Sequence, residues 1–470
     1  MKVLDRFEVA AGAVILLVLV GIATTIGGGD RAGVAIVSVS PQGTAHTTAA
    51  IQVTFGEAMD AKSVADHFVI QPPLDGKVTW NGAQMTFSPA LPLSGNKSYT
   101  VSIKAGTQSV QGRRLAADTT WSFSVGSPRI VYLWPAARDD SAAPSNLWAV
   151  DPGAPFTGTQ LTFSKSGVSP DFAVSADGTR IAFAQNGADG TADLYLLPLD
   201  GGDGASVQRL TQCVSATCQM PDFSPDGTRI AYERIEQNPQ LDARDRGVPR
   251  AWILNLKDLS TGPLLPSSEL LGHAPRWSPD GTQIAVHDQS LHAIAIYNLT
   301  TGDRKLIPSL VGDNGVFDPS GTRFVYPELA QTASGFFTTL SIADLLHPEN
   351  GTHSLSDSAS TNSVQVNDGQ AVWNPDGKRL ALTRQYLDGN GPDARQLYVM
   401  NADTGKLQQL TQDTNYTNGA IAWNPAGEEI VVQRFPVLQT DGQPSIWVYD
   451  LAAKTLRQVA SNGYLPQWIP

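Results

Sequence analysis

Cysteine is nearly absent from this 470-residue chain: it has only Cys213 and Cys218, five positions apart in TQCVSATCQMP. In an oxidising compartment two thiols that close most simply form a local disulfide, a loop staple that leaves the fold to stand on apolar packing. Zinc would need four ligands, or three and a water, and the nearest histidine in sequence is His273. Charge is scarce as well, at 16% of residues against about 25% in ordinary soluble domains. It also runs acidic, with 44 Asp and Glu against 32 Lys and Arg and a formal net of −12. The attraction to phosphate backbones that underlies nucleic-acid binding is therefore missing, and nucleic acid is excluded as a partner.

Marks of catalysis are missing too. No Gly-x-Ser-x-Gly elbow, Gly-rich phosphate loop or His-x-x-x-His pair occurs. The seven histidines are scattered, His347 and His353 of HPENGTH among them, and read as loop residues. The run Asp388 to Asp393, DGNGPD, has the beginnings of a calcium loop but lacks the terminal bidentate Glu. No metal, cofactor or catalytic residue is assigned.

What is present is apolar and turn-rich: 41% hydrophobic residues, 43 Gly and 31 Pro, too apolar for wholesale disorder and suited to many tight turns. Val9 to Gly29 is a 21-residue run without a charge, long enough to span a bilayer as a helix. Lys2 and Arg6 precede it, and positive flanks stay cytoplasmic, which puts the body outside. The rival reading is a cleaved signal peptide, with Gly21-Ile22-Ala23 around the processing site and a secreted body. The run exceeds the about 7 to 15 residues of a signal core, which favours an uncleaved anchor. Residues 1–30 are thus expected to form a cytoplasmic stub and single-pass anchor in the cell membrane, with an extracytoplasmic body.

From 34 to 126 short alternating runs are separated by turn residues: Ile36–Val39, Ile51–Phe55, Lys77–Trp80, Met85–Phe87, Tyr99–Ile103 and Thr120–Val125. About seven half-buried strands in such a length is the arithmetic of an immunoglobulin-like sandwich. Without a Cys pair, Trp80, Phe87, Tyr99 and Trp121 must supply its packing. Glu57 and Asp60 read as solvated loop acids rather than a calcium pair, since calcium wants six to eight oxygens. The phrases VSPQGTA, IQVTFGEAMD, MTFSPALPLSGNKSYTVSI and LAADTTWSFSVG resemble the bacterial Ig-like domains of exported proteins. That resemblance implies a spacer or adhesive unit without shared catalytic residues.

The remainder, 128 to 470, repeats itself. SADGTRIAF, SPDGTRIAY, SPDGTQIAV, DPSGTRFVY, NPDGKRLAL and NPAGEEIVV carry glycines at 178, 227, 281, 321, 377 and 427, spaced by 49, 54, 40, 56 and 50 residues. That is the period of propeller blades. In each, an inner strand ends in an aromatic such as Phe223, Trp277 or Trp423 and a Pro-Asp-Gly turn follows. Second and third apolar strands come next, then an outer strand ending for example in Gln409-Leu410-Thr411 or Arg209-Leu210-Thr211. The repeated aspartates Asp177, Asp226, Asp280 and Asp376 read as turn residues. Ser320 and Ala426, where the turn Asp is missing, and Ala176, where Pro is, predict looser turns of unchanged topology. Arg129–Tyr132 begins a blade without an inner strand, and LPQWIP at the far end matches APRWSP, so the last strand is expected to close the first blade. The count is a seven-bladed ring closed by a split blade.

The repeats resemble TolB-type, WD-like propellers, whose hallmark is this SPDG-T/K-R-I-A-Y phrase with its Leu-Tyr strand and Leu-Thr end. The resemblance implies fold more than function, since such blades serve both envelope proteins and gated peptidases. With repeats running to Pro470, the peptidases' hydrolase domain is expected to be absent. The fold class is therefore all-β: anchor, sandwich, propeller. Long insertions at Pro135–Ser145, Ile235–Val248, Gln385–Arg395 and Pro436–Gln443 share one face. Their neighbourhood supplies the candidate binding residues Arg234, Asp242, Arg244, Asp245, Arg246, Tyr386, Asp388 and Arg395. The expected function is binding or scaffolding of a protein or glycan partner. The alternative is an envelope hydrolase or lyase, which would show acids of raised pKa converging on the channel.

Overall fold

A computed structural model describes residues 33–136, 144–187, 190–199, 206–237, 246–265, 271–311, 315–332, 335–356, 366–387, 394–437 and 442–470. The Val9–Gly29 run, Asp242, Arg244, Asp245 and Asp388 lie outside them. Two compact units result, one of residues up to Ala45 and Ala49–Gly126, the other of His46–Thr48 and Ser127–Pro470.

The first unit is a sandwich of two four-stranded sheets. Its strands are β1 (Ile36–Ser40), β2 (Gly43–Ala45), β3 (Ile51–Phe55), β4 (Phe68–Gln71), β5 (Gly76–Asn81), β6 (Gln84–Pro89), β7 (Ser98–Ile103) and β8 (Thr119–Val125). One sheet has the order β1-β3-β6-β5, the other β2-β8-β7-β4. Alternation builds the core: Ile51, Val53 and Phe55 turn inward while Gln52 and Thr54 do not. Phe87, Tyr99 and Phe123 fill the space between the sheets, and Trp80 and Trp121 are only half-buried against it. The strands β2 and β4 and the helix α1 (Ala61–His67) add to what the alternation indicated. The acids read as a solvated loop have partners: the Asp60 carboxylate accepts from the Ser63 N–H at 2.7 Å and caps α1, and Glu57 pairs with Arg113.

The second unit is a β-propeller. The first sheet has the order Thr159–Gln160, Asn146–Val150, Arg129–Trp134, Tyr464–Ile469, so the C-terminal strand pairs with the strand that opens the unit. Four-stranded sheets also run over His273–Pro308, Val316–Ser354, Val366–Gln409 and Tyr416–Ser461. The segment Val168–Pro263 forms one eight-stranded sheet, because a parallel bridge between Ala192 and Thr217 joins two repeats edge to edge.

The repeated phrases are interface chemistry. Each arginine after a turn glycine lies over the aromatic of the next repeat: Arg180 on Phe223 at 5.6 Å, Arg229 on Trp277 at 4.5 Å, Arg323 on Trp373 at 4.6 Å, Arg379 on Trp423 at 5.3 Å. Where an outer strand ends in Leu-Thr, the threonine ties it to the third strand: Thr211 Oγ1 accepts from the Leu194 N–H at 2.9 Å and Thr411 Oγ1 from the Leu397 N–H at 2.9 Å. Buried apolar clusters straddle successive repeats, and one joins Val431, Ile446 and Val448 to Ile130, Tyr132 and Trp468. At the turns, the aspartates work as the sequence indicates. Asp226 Oδ1 accepts from Ser224 Oγ at 2.6 Å and the Thr228 N–H at 3.0 Å, and Asp280 does the same with Ser278 and Thr282. The turns at Ser320 and Ala426 are not looser in conformation: Gly321 and Gly427 hold φ of 71° and 70°, as Gly281 does at 70°. There Asp318 and Asn424, at the turn's first position, accept the backbone N–H groups of Arg323 and Glu429.

Candidate functional site

Successive inner strands meet around the propeller axis. Most of them bulge at mid-strand, between Gln219 and Asp222, His273 and Arg276, Asp368 and Ala371, and Asn418 and Ile421. A bulge re-aims the residues around it. Here it leaves polar side chains to bridge neighbouring strands: Asp222 Oδ2 accepts the Trp277 N–H at 2.7 Å and Gln370 Oε1 the Ile421 N–H at 2.9 Å.

A cavity of about 470 Å³ opens where several inner strands begin. Its polar lining is His273, Arg276, Thr338, Asp368, Gln370 and Arg395; Met220, Val316, Tyr326 and Leu340 make an apolar side. Asp368 is committed behind the wall. Its Oδ1 accepts Arg384 Nε at 2.5 Å, and its Oδ2 accepts Arg384 Nη2 at 2.7 Å and Ser356 Oγ at 2.6 Å, with both charged side chains buried. Burial pulls the Arg384 guanidinium down, but the bonds and charge of Asp368 outweigh it and hold the cation. Gly369 follows, and a Cβ there would collide with the Thr383 hydroxyl and sit 3.6 Å from Arg395 Cδ. The clash that excludes a side chain there is with Thr383, and the approach of Arg395 is an ordinary van der Waals contact.

Beside the cavity is a titratable cluster on the channel wall. Glu233, with its side chain 1% exposed, accepts from Gln219 Nε2 at 2.8 Å and the Ala274 N–H at 3.2 Å, and its Oε2 lies 2.6 Å from His273 Nδ1. Burial, and after it the charge of Glu233, push the Asp171 carboxyl above its ordinary range, with Arg276 and His273 opposing. Burial pushes Asp222 up as well, against the charge of Arg276 and the Trp277 N–H.

The candidate residues read from sequence fall in separate places. Arg395 lines the cavity. Tyr386 ends the second strand of the same sheet, edge-on to Tyr398 at 6.1 Å. Arg234 lies elsewhere, in a hollow of about 360 Å³ beside Cys213. Its guanidinium packs over Trp252 at 5.0 Å and bonds Glu236 at 2.6 Å, and its Nη1 is 3.8 Å from Cys213 Sγ. Arg246 opens a strand that runs to Asn255, so part of the Ile235–Val248 insertion is a lengthened hairpin. Cys213 and Cys218 are joined as a disulfide with Cα atoms 6.2 Å apart. Asp171, Asp222, Glu233, His273, Arg276, Asp368 and Arg384 were not singled out by sequence. The available signal was the position before the inner-strand aromatic, which changes from Asp222 to Arg276 to Gln467 within an otherwise repeated phrase.

Residues 30–125 match the bacterial Ig-like domain. A curated relative, the uncharacterized peptidase YuxL of Bacillus subtilis, is 35% identical over 95 residues, which are 20% of this chain and 13% of that protein. Among solved structures, TolB from Acinetobacter baumannii superposes with a TM-score of 0.42 at 14% identity, over 86% of this chain and 83% of that one. The β-propeller domain of the trilobed protease from Pyrococcus furiosus does so with a TM-score of 0.44 at 15% identity, over 64% and 85%.

Proposed function

We propose that this chain is a membrane-anchored, extracytoplasmic binding or scaffold protein that presents its propeller on an Ig-like spacer to a protein or glycan partner. In this reading the eight-stranded sheet counts as two blades, the ring has seven, and the pairing of Tyr464–Ile469 with Arg129–Trp134 is the split blade that closes it. The observation that carries the proposal is the cavity at the start of the inner strands. It draws its lining from several repeats and has both polar and apolar sides, as ligand sites do. The uncharged Val9–Gly29 run after Lys2 and Arg6 supports the anchor. Crosslinking the full chain in its native membrane and identifying the captured molecule tests the function. Capture of a specific protein or glycan is expected, and its absence from every preparation that retains the folded chain counts against binding.

A hydrolase or lyase is the second reading, favoured by one observation: Asp171 and Asp222, both pushed toward the neutral form, sit on adjacent inner strands. Asp222 also has structural work in holding the Trp277 N–H. Turnover of an envelope polymer that is abolished by Asp171→Asn while capture persists would move the assignment to an enzyme.

A further inference from the structure

The cavity's unspent charge is positive, although the protein's net charge is −12. Of its charged lining residues, Asp368 is taken up by Arg384 and Ser356, and His273 is bonded to Glu233. Among the described residues Arg276 and Arg395 have no such partner. Among the described residues neither forms an ion pair; the Arg276 guanidinium donates to its own Pro275 carbonyl at 3.0 Å, and Arg395 Nε is buried without a hydrogen bond. Asp171 and Asp222 are close enough for Arg276 to act on their titration, yet neither bonds it. A guanidinium is a rigid fork of donors matched to planar or tetrahedral anionic oxygens, and donors left buried and unmade cost free energy that a ligand can recover. Elsewhere in this propeller the arginines are spent: Arg384 on Asp368, Arg434 on Asp413 and the faces of Tyr416 and Trp447, Arg323 on Asp318 and Asp403. Arg276 and Arg395 stand apart from these in lining the cavity.

We infer that the cavity takes an anionic oxygen group, a carboxylate or a phosphate, on a ligand of sugar or dipeptide size, with Arg276 and Arg395 as its cations and the Tyr326 and Leu340 side receiving the apolar body. The size follows from the about 470 Å³, which lies in the range of small-ligand sites. This inference rests on reading the cavity as the recognition site, and it names what that site takes.

The test is isothermal titration of the full-length protein with D-glucuronate, inorganic phosphate, D-glucose and D-glucosamine. Glucuronate or phosphate should bind, and competition between them shows which anion the site prefers. Neutral glucose and cationic glucosamine should not bind. Arg395→Gln and Arg276→Gln should each weaken the anion by about tenfold or more, the effect of losing a charge-assisted hydrogen-bonding group, at an unchanged melting temperature. If either variant melts early, Arg395→Lys and Arg276→Lys, which keep charge and stem but lose the fork, should bind measurably more weakly than the natural protein. Equal binding of glucose and glucuronate, or anion binding indifferent to all four variants, overturns the inference. Failure of both anions to bind while a crosslinked partner is still captured removes the anion and leaves the recognition reading standing. Anion binding with no captured partner does the reverse.

Discussion

Asp222 and Asp226 stand four residues apart in one repeat and are driven in opposite directions. At the turn, burial works against Asp226, but bonds from Ser224 and Thr228 outweigh it and hold its carboxyl below the ordinary value of 3.8. On the channel wall, burial dominates and Asp222 rises above 3.8. The difference separates the two ends of the propeller. At the turn end each repeat spends its polar groups on itself or on its neighbour: Asx bonds, arginines on aromatics, glycines at positive φ. Around the cavity the bulged inner strands hold charged groups that the fold does not fully use, and such groups are what a ligand can use.

The largest test of this contrast is at the cavity wall. Asp368→Ala leaves Arg384 buried and unpaired and should cost about 3–5 kcal/mol in denaturant unfolding, whereas Asp368→Leu with Arg384→Met should recover most of that loss. An alanine variant of natural stability would show that the pair does not hold the wall. A smaller effect is expected at the turn end. Gly281 has φ of 70° with only Pro225 near its missing Cβ, at 3.5 Å, so Gly281→Ala should cost roughly 1–2 kcal/mol through backbone conformation and leave partner capture unchanged.

The smallest effects carry opposite signs. Asp222 has a raised pKa in the folded chain, so its ionisation opposes folding: Asp222→Asn should melt higher than the natural protein at neutral pH. That gain should shrink as pH falls through the raised pKa and vanish below 3.8. Asp226 has a lowered pKa and stabilises when ionised, so Asp226→Asn should melt lower at neutral pH, with the deficit fading as pH falls from 3.8 through the depressed pKa. Melting curves across pH that move the two variants the same way would break the comparison.

Sequence revealed the turn end far better than the cavity. SPDGTRIAY names a turn, a strand and an arginine within nine residues, because turn chemistry is local and recurs with each repeat. The Ig-like alternation was legible for the same reason, as in Ile51–Phe55, which matches β3 residue for residue. The helix α1 was missed because its one signal, Asp60 three residues before Ser63, lay among strong strand patterns. The Ala192–Thr217 bridge that fuses two repeats has no sequence signature. The cavity assembles His273, Tyr326, Asp368 and Arg395 from three repeats, and the Asp368–Arg384 pair joins neighbouring strands sixteen residues apart. Only tertiary register brings such residues together, so among the described candidate binding residues Arg395 alone lines the cavity.

The central claim is that recognition belongs to the cavity end and not to the turn end. It is tested most directly by crosslinking in the native membrane with three forms of the full chain: natural, Arg395→Gln, and Asp226→Asn with Asp280→Asn. Capture should fall sharply with Arg395→Gln and persist with the paired turn substitutions. Capture lost at the turns and undiminished at Arg395 would place the site at the opposite end and contradict it.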